Sequence, residues 1–243
     1  MIRSILIFLS LIVITNNSFA TCAVNADVFG AVYKVTTIHK DNNTESAQHI
    51  TLWRNGRKVA HEYPDAQMTE VWEQMVNKKL RMVNYFDTQQ RGIEYTPDEI
   101  KISHNENDWL LKRQLITNDL MHSMQHITTV KDDCDDLAKY VLEKKDVKIV
   151  LQWLVKRELV KQYKEESENS TVTWKLERLI TDPAKVESVF IARSKYQTTD
   201  YADVGDNESD PFLLKMINLG FIAHGSSGFY DAKGNALGDS HQH

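Results

Sequence analysis

Residues 49–63 read HITLWRNGRKVAHEY, and this stretch carries the strongest fold signal in the chain. Two runs of alternating apolar and polar residues flank Asn55-Gly56, a dipeptide that supplies the positive φ angles of a type I′ hairpin turn. A two-residue turn at this point sets the register, so that Trp53 faces Lys58 across the two strands. The stretch therefore predicts a β-hairpin.

Strand patterns continue on both sides of this hairpin. β-branched and aromatic residues are dense over 28–38, before the hairpin, and recur after Pro64 over 69–75, 80–86 and 91–96. A turn at Asn77-Lys78-Lys79 separates two of the later segments. Residues 28–98 therefore predict an antiparallel β-meander.

The middle of the chain combines helix and strand patterns. Ile116, Leu120, Met124 and Ile127 recur at helical spacing, and a second helix is expected after the acidic Asp132-Asp133, with Leu137, Tyr140 and Val141 on one face. Residues 147–154 fit a strand or a buried helix, and residues 171–176 alternate as a strand does.

Two helix starts mark the last third. Asp182-Pro183 and Asp210-Pro211 each place a capping Asp before a Pro at the first helical position. Six of the nine glycines lie at or beyond Gly205, which indicates a loop-rich C-terminal third. The predicted fold class is α+β: an antiparallel β-meander in the N-terminal half, helices packed on one face, and a loop-rich C-terminal third.

The first twenty residues have the three parts of a secretory signal peptide. Arg3 is their only charge, residues 5–14 are almost continuously apolar, and Ser18-Phe19-Ala20 is a small-x-small cleavage site. The apolar run is about half of what crossing a bilayer requires. We expect cleavage after Ala20, a single domain over 21–243 with no transmembrane segment, and a periplasmic or secreted location.

Two cysteines, Cys22 and Cys134, would then lie in an oxidising compartment. One structural disulfide between them is the simplest interpretation. Lipid attachment at Cys22 is an alternative, although Thr21 and Phe19 fit the lipoprotein pattern poorly. A redox-active Cys134 is a second alternative, without a CxxC partner.

The excess of acidic over basic residues makes a general nucleic-acid-binding protein an unfavoured interpretation. The chain has 29 Lys and Arg against 34 Asp and Glu, a formal net charge of −5, and loss of the signal would remove one further positive charge.

Two groups of residues have the chemistry of metal ligands. His122 and His126 are spaced i, i+4 on the expected helix, a spacing that can hold zinc or copper. An acidic loop offers hard oxygen ligands suited to calcium, with the members Asp200, Asp203, Asp206, Glu208 and Asp210. A divalent cation is therefore the candidate cofactor, although solvated side chains explain both groups as well.

No motif identifies a reaction. His49 opposite Glu62 in the predicted hairpin could form a general-base pair, but no positioned nucleophile accompanies it. The favoured hypothesis is a non-enzymatic, soluble binding protein of the cell envelope, for an apolar ligand or a protein partner. The alternative is a metal-dependent envelope protein, such as a hydrolase, that uses the acidic loop and nearby histidines. A meander with helices on one face resembles, at the level of fold alone, the half-barrel carriers that bind lipids or lipoproteins in the bacterial envelope.

Overall fold

A computed structural model describes residues 24–100, 105–132, 134–207, 209–219 and 221, with the backbone of 229–230 and 236–237. The first six strands follow one another as an antiparallel meander, each paired with the next along the chain. They are β1 (Val28–His39), β2 (Thr44–Asn55), β3 (Lys58–Tyr63), β4 (Met68–Gln74), β5 (Leu80–Phe86) and β6 (Arg91–Tyr95).

Two short helices lead from this meander into a second one. The helices are α1 (Glu106–Gln114) and α2 (Asn118–Ser123). The second meander comprises β7 (Gln125–Val130), β8 (Leu137–Lys144), β9 (Val147–Leu154), β10 (Leu159–Ser167) and β11 (Ser170–Ile180).

β11 returns to pair with β1, and this pairing joins the two meanders into one sheet. The chain continues through α3 (Pro183–Arg193), β12 (Gln197–Asp200) and α4 (Pro211–Asn218). β12 pairs with β6 in parallel, which makes the sheet mixed. The strand order is β12-β6-β5-β4-β3-β2-β1-β11-β10-β9-β8-β7. The short β13 (Phe229–Tyr230) and β14 (Ala236–Leu237) form a separate ladder.

This architecture contradicts the predicted fold class. A single mixed sheet of twelve strands dominates the chain, and β-structure continues well beyond the N-terminal half. The few helices of the described residues do not pack on one face, because α3 lies on the opposite side of the sheet from α1.

Of the two helices expected in the middle, the first is shorter than predicted and the second is wrong. The first ends at Ser123 and gives way to β7, while the residues of the second form β8. Leu137, Tyr140 and Val141 fit a helical face, but Ala138, Tyr140 and Leu142 fit equally well the inward positions of a strand. Pairing of β8 with β7 and β9 decides for the strand.

The hairpin at residues 49–63 is present, but its turn lies one residue later than expected. Asn55 pairs with Lys58, so that Gly56 and Arg57 are the central turn residues and Trp53 faces Ala60 rather than Lys58. Gly56 has a φ of 61°, and it is the turn residue with positive φ, as in a type II′ turn. Because each residue of β2 pairs two residues further along β3 than predicted, every side chain stays on its predicted face.

The two faces of the sheet have different partners. The inner face is the one on which α1 packs, where the Lys112 ammonium lies 4.2 Å from the centre of the Trp72 ring. On the outer face, Trp53 packs with Val186 of α3. A Cβ atom on Gly30 would lie 2.5 Å from the Trp53 ring, so only glycine lets the indole lie flat on β1.

Arg54 joins the two meanders at one end of the sheet. Its side chain is fully buried, and its guanidinium donates hydrogen bonds of 2.6–3.1 Å to four backbone carbonyls. The acceptors belong to Ala26, Arg113, Arg157 and Glu158. Burial and the nearby Arg113 lower the pKa of Arg54 to about 9, which leaves the side chain charged at neutral pH.

Candidate functional site

An apolar surface lies on the inner face of the second meander. Register places one row of inward side chains across six adjacent strands, from β7 to β1. This row is His126, Tyr140, Leu151, Tyr163, Trp174 and Val35. A second row follows it, with Leu142, Ile149, Glu165, Val172 and Thr37.

The outward side chains of the same strands are mostly polar, with Val141 and Val150 as exceptions. Strand side chains alternate between faces, and the outward row from β1 to β8 is Lys34, Lys175, Gln162, Gln152 and Lys139. This part of the sheet therefore has one apolar and one hydrophilic face. We call the inward side chains of β8–β11 in the two rows the open inner face: Tyr140, Leu142, Ile149, Leu151, Tyr163, Glu165, Val172 and Trp174.

The open inner face is covered less completely than the rest of the inner face. Leu52, Trp72 and Met82, on the first meander, are at most 1% exposed. On the open inner face, by contrast, Ile149 and Leu151 are buried but the other five apolar side chains are only partly buried, although they pack against the core. These are Tyr140, Leu142, Tyr163, Val172 and Trp174. A contiguous, half-exposed apolar surface of this kind is typical of a binding site.

Aromatic rings line the centre of this surface. Trp174 makes edge-to-face contacts with Tyr33 and Tyr163, each with 6.4 Å between ring centres. Tyr33 is fully buried and donates a hydrogen bond of 2.6 Å to the carbonyl of Val160. Trp174 is therefore fixed from one side and partly exposed on the other.

A carboxylate lies among these apolar side chains. Glu165 is placed between Val172 and Ile149 of the neighbouring strands, and it accepts a hydrogen bond from the Tyr163 hydroxyl. Burial and the adjacent carboxylate raise the pKa of Tyr163 above its ordinary value, so its hydroxyl stays protonated at neutral pH.

A cleft of about 230 Å³ opens where α2 ends beside the open inner face. Ser123, Gln125 and Leu142 are among the residues that line it. A larger depression of about 600 Å³ lies elsewhere and is lined by charged residues, of which Lys131 and Asp136 pair at 2.7 Å. Through Leu142, the smaller cleft borders the open inner face.

A buried charged cluster lies under α1 and was not foreseen from the sequence. His61, Glu70 and Lys112 are 2%, 1% and 5% exposed. His61 Nδ1 lies 3.4 Å from Glu70 Oε2, and His61 Nε2 lies 2.7 Å from the Lys112 carbonyl oxygen. These groups have the chemistry of an acid–base site, but they are closed off from solvent.

The charges of this cluster are coupled. Burial alone would raise the pKa of Glu70, but the Lys112 ammonium and His61 outweigh it and hold the pKa below its ordinary value. Burial lowers the pKa of Lys112, and Glu70 opposes that effect. The cluster therefore contributes to stability rather than to chemistry on a substrate.

The carboxylates of the acidic loop proposed as a cation site lie in different structural elements. Asp200 ends β12, Asp203 lies in a 3₁₀ turn and Asp206 follows that turn, while Glu208 lies outside the described residues. Asp210 caps α4 by accepting from Phe212 N at 2.9 Å and pairs with Arg91 at 3.0 Å, which lowers its pKa. In the described ranges, no three His, Cys, Asp or Glu side chains are grouped so as to hold a metal ion.

The histidine pairs are not placed as the sequence suggested. His122 lies in α2 and His126 in β7, so the two do not share a helical face. His126 instead contacts Thr129 Oγ1 at 2.8 Å and the ring of Tyr140. In the hairpin, Thr51 rather than His49 faces Glu62.

Cys134 precedes β8 rather than beginning a helix, and its N–H donates to Asp132 Oδ1 at 2.9 Å. Cys22 and the signal peptide with its cleavage site lie outside the described residues, so the disulfide stays a prediction. The longest described helix, α3, has 11 residues, so none of the described helices is long enough to cross a bilayer.

No protein-family model and no curated protein matches this chain. Solved structures that resemble part of it include a DUF1329 family protein from Desulfovibrio piger (8% identity, 63% of this chain and 85% of that chain, TM-score 0.32). Others are a putative outer membrane lipoprotein-sorting protein domain from Vibrio parahaemolyticus (7%, 69% and 92%, 0.29) and the MucA/MucB complex of Pseudomonas aeruginosa (9%, 63% and 52%, 0.31). Likeness at this level carries no functional argument, so a function has to be argued from the chain's own residues.

Proposed function

We propose that this chain is a binding protein of the cell envelope that holds an alkyl-bearing molecule against the open inner face. The half-exposed row of Tyr140, Tyr163 and Trp174 carries the proposal. Burial of apolar surface contributes about 25 cal/mol of favourable free energy for each Å² removed from water. An occupant of this face would therefore be bound by its hydrocarbon part. The signal-like N-terminus supports the envelope location.

The occupant is either a free amphiphile or the acyl-bearing segment of a protein partner. Both present the same chemistry, an alkyl chain, to the sheet. Organic extraction of the protein purified from its native compartment separates the two sources, since a free amphiphile is extracted and an acylated partner remains as protein.

Trp174 provides a direct test. The other four tryptophans, Trp53, Trp72, Trp109 and Trp153, are at most 8% exposed. A long alkyl chain that carries bromine quenches indole fluorescence on contact. We therefore expect a saturable quench in the wild type and its loss in Trp174→Phe.

Trp53→Phe is the matched control, because Trp53 lies on the outer face beneath α3 and its removal should leave the quench in place. No quench in the wild type, or an undiminished quench in Trp174→Phe, would place the alkyl chain elsewhere and overturn the proposal.

A further inference from the structure

The inner-face position of Glu165 follows directly from register. Glu165 faces Ile149 and Val172 on the neighbouring strands and shares its face with Tyr163, two residues earlier. Glu166 faces Lys148 and Thr171 on the opposite side, where it pairs with Lys164 at 2.5 Å. The two adjacent glutamates thus point to opposite faces of one strand.

No basic side chain of the described residues forms an ion pair with Glu165. Among the described residues, the ion pairs within 4 Å involve other carboxylates, and Glu165 has the Tyr163 hydroxyl as its hydrogen-bonding partner. A carboxylate on an apolar, half-buried surface loses hydration, and a hydroxyl compensates for that loss less well than a cation does. The site is therefore complementary to positive charge.

The aromatic rings beside Glu165 have the same preference. Tyr163 and Trp174 pack edge to face, and both are partly exposed on this surface. The faces of aromatic rings attract cations, and rings combined with a carboxylate are suited to alkylated ammonium groups.

Resting on the proposed function, we infer that the molecule held on the open inner face is a cationic amphiphile, whose ammonium head group lies at Glu165 and whose alkyl chain covers Tyr140, Leu142 and Trp174. The anionic side chain thereby selects the head group, while the apolar row binds the chain.

The test compares three detergents that share one brominated alkyl chain and differ in head group: trimethylammonium, maltoside and sulfate. Each is titrated below its critical micelle concentration, with Trp174 quenching as the readout. We expect the ammonium compound to bind about tenfold more tightly than the maltoside, because an ion pair with Glu165 and a cation–π contact with the neighbouring rings together contribute on that order. The sulfate should bind most weakly.

Glu165→Gln should abolish this preference by weakening binding of the ammonium compound, and its circular dichroism spectrum and melting temperature should match those of the wild type, which shows that the variant is folded. Glu166→Gln is the matched control, because it changes the net charge equally on the outer face and should retain the preference.

Equal affinities for the three head groups in the wild type, or an equal loss of preference in both variants, would overturn the head-group inference while the proposed function stands. If none of the three detergents binds, the proposed function and the inference fail together.

Discussion

At the scale of single residues, Glu70 is a carboxylate that the fold buries almost completely. Its neighbours are the buried His61 and Lys112, so its removal takes away the carboxylate that acts most strongly on the buried Lys112 ammonium and leaves only the weaker effect of Asp108. We expect Glu70→Gln to lower the free energy of unfolding by about 3 kcal/mol, as when a buried pair loses one partner. Denaturant titration measures this loss.

Glu73 provides the control on the same strand. It contacts Arg81 and Lys58 at 3.5 and 4.0 Å on a more exposed surface, and Glu73→Gln should cost less than about 1 kcal/mol. Equal losses in the two variants would contradict the role given to the buried cluster.

The same carboxyl makes stability depend on acid pH. The pKa of Glu70 is lower in the folded chain than in the unfolded chain, so the unfolded chain takes up more protons as the pH falls below about 4.3. The stabilisation is complete above that value and is lost as the pH falls through the lowered pKa. Unfolding titrations at stepped acid pH should give a shallower slope for Glu70→Gln than for the wild type, and identical slopes would refute this coupling.

Substitutions at Asp210 distinguish a role as a helix cap from a role as a cation ligand. Asp210→Ala removes both the bond to Phe212 N and the Arg91 pair, and should cost about 1–2 kcal/mol. Asp210→Asn keeps a capping oxygen and should cost less than about 1 kcal/mol. Melting temperatures should be the same with calcium and with chelator. A calcium-dependent rise that disappears in Asp203→Ala would instead support the acidic loop as a metal site.

At the scale of elements, the β2–β3 turn depends on one backbone angle. Gly56 has a φ of 61°, and a Cβ atom added there meets nothing within 4 Å, so Gly56→Ala tests conformational strain alone. We expect a loss of about 1 kcal/mol in unfolding free energy. Gly205→Ala, where φ is not positive and space is equally open, should be close to neutral. A neutral Gly56→Ala would contradict the type II′ geometry.

The sequence predicts elements well where local chemistry is decisive. The Asp182-Pro183 and Asp210-Pro211 starts of α3 and α4 are confirmed, as is the hairpin around Gly56. The sequence pattern does not predict β10, because Glu165 occupies an inward position and interrupts the alternation that would indicate a strand. The residue that interrupts the pattern is the one with a candidate binding role.

The buried charges could not be predicted from local patterns either. Arg54 lies in a strand, and from the sequence alone an arginine there is expected to be exposed. The carbonyl groups that accept its hydrogen bonds are far away in the sequence, at Ala26, Arg113, Arg157 and Glu158. Glu70 and Lys112 likewise become neighbours only when α1 packs on the sheet. Burial of a charge is set by tertiary contacts, which periodicity does not report.

At the scale of the whole molecule, the inner face divides into a covered and an open part. α1 packs over the first meander, where inward side chains such as Trp72 and Met82 are almost fully buried. The second meander keeps the same apolar-in, polar-out alternation, yet its inward Tyr140 and Trp174 stay half-exposed. The covered part stabilises the fold, and the open part is the surface on which we propose that a ligand binds.

Native mass spectrometry of the protein purified without detergent from its own compartment tests this claim most directly. For the wild type, we predict an added mass from an alkyl-bearing molecule. This added mass should be retained in Val150→Asp, on the outer face, and lost in Val172→Asp, on the open inner face. The bare mass in the wild type, or a bound molecule that persists in Val172→Asp, would contradict it.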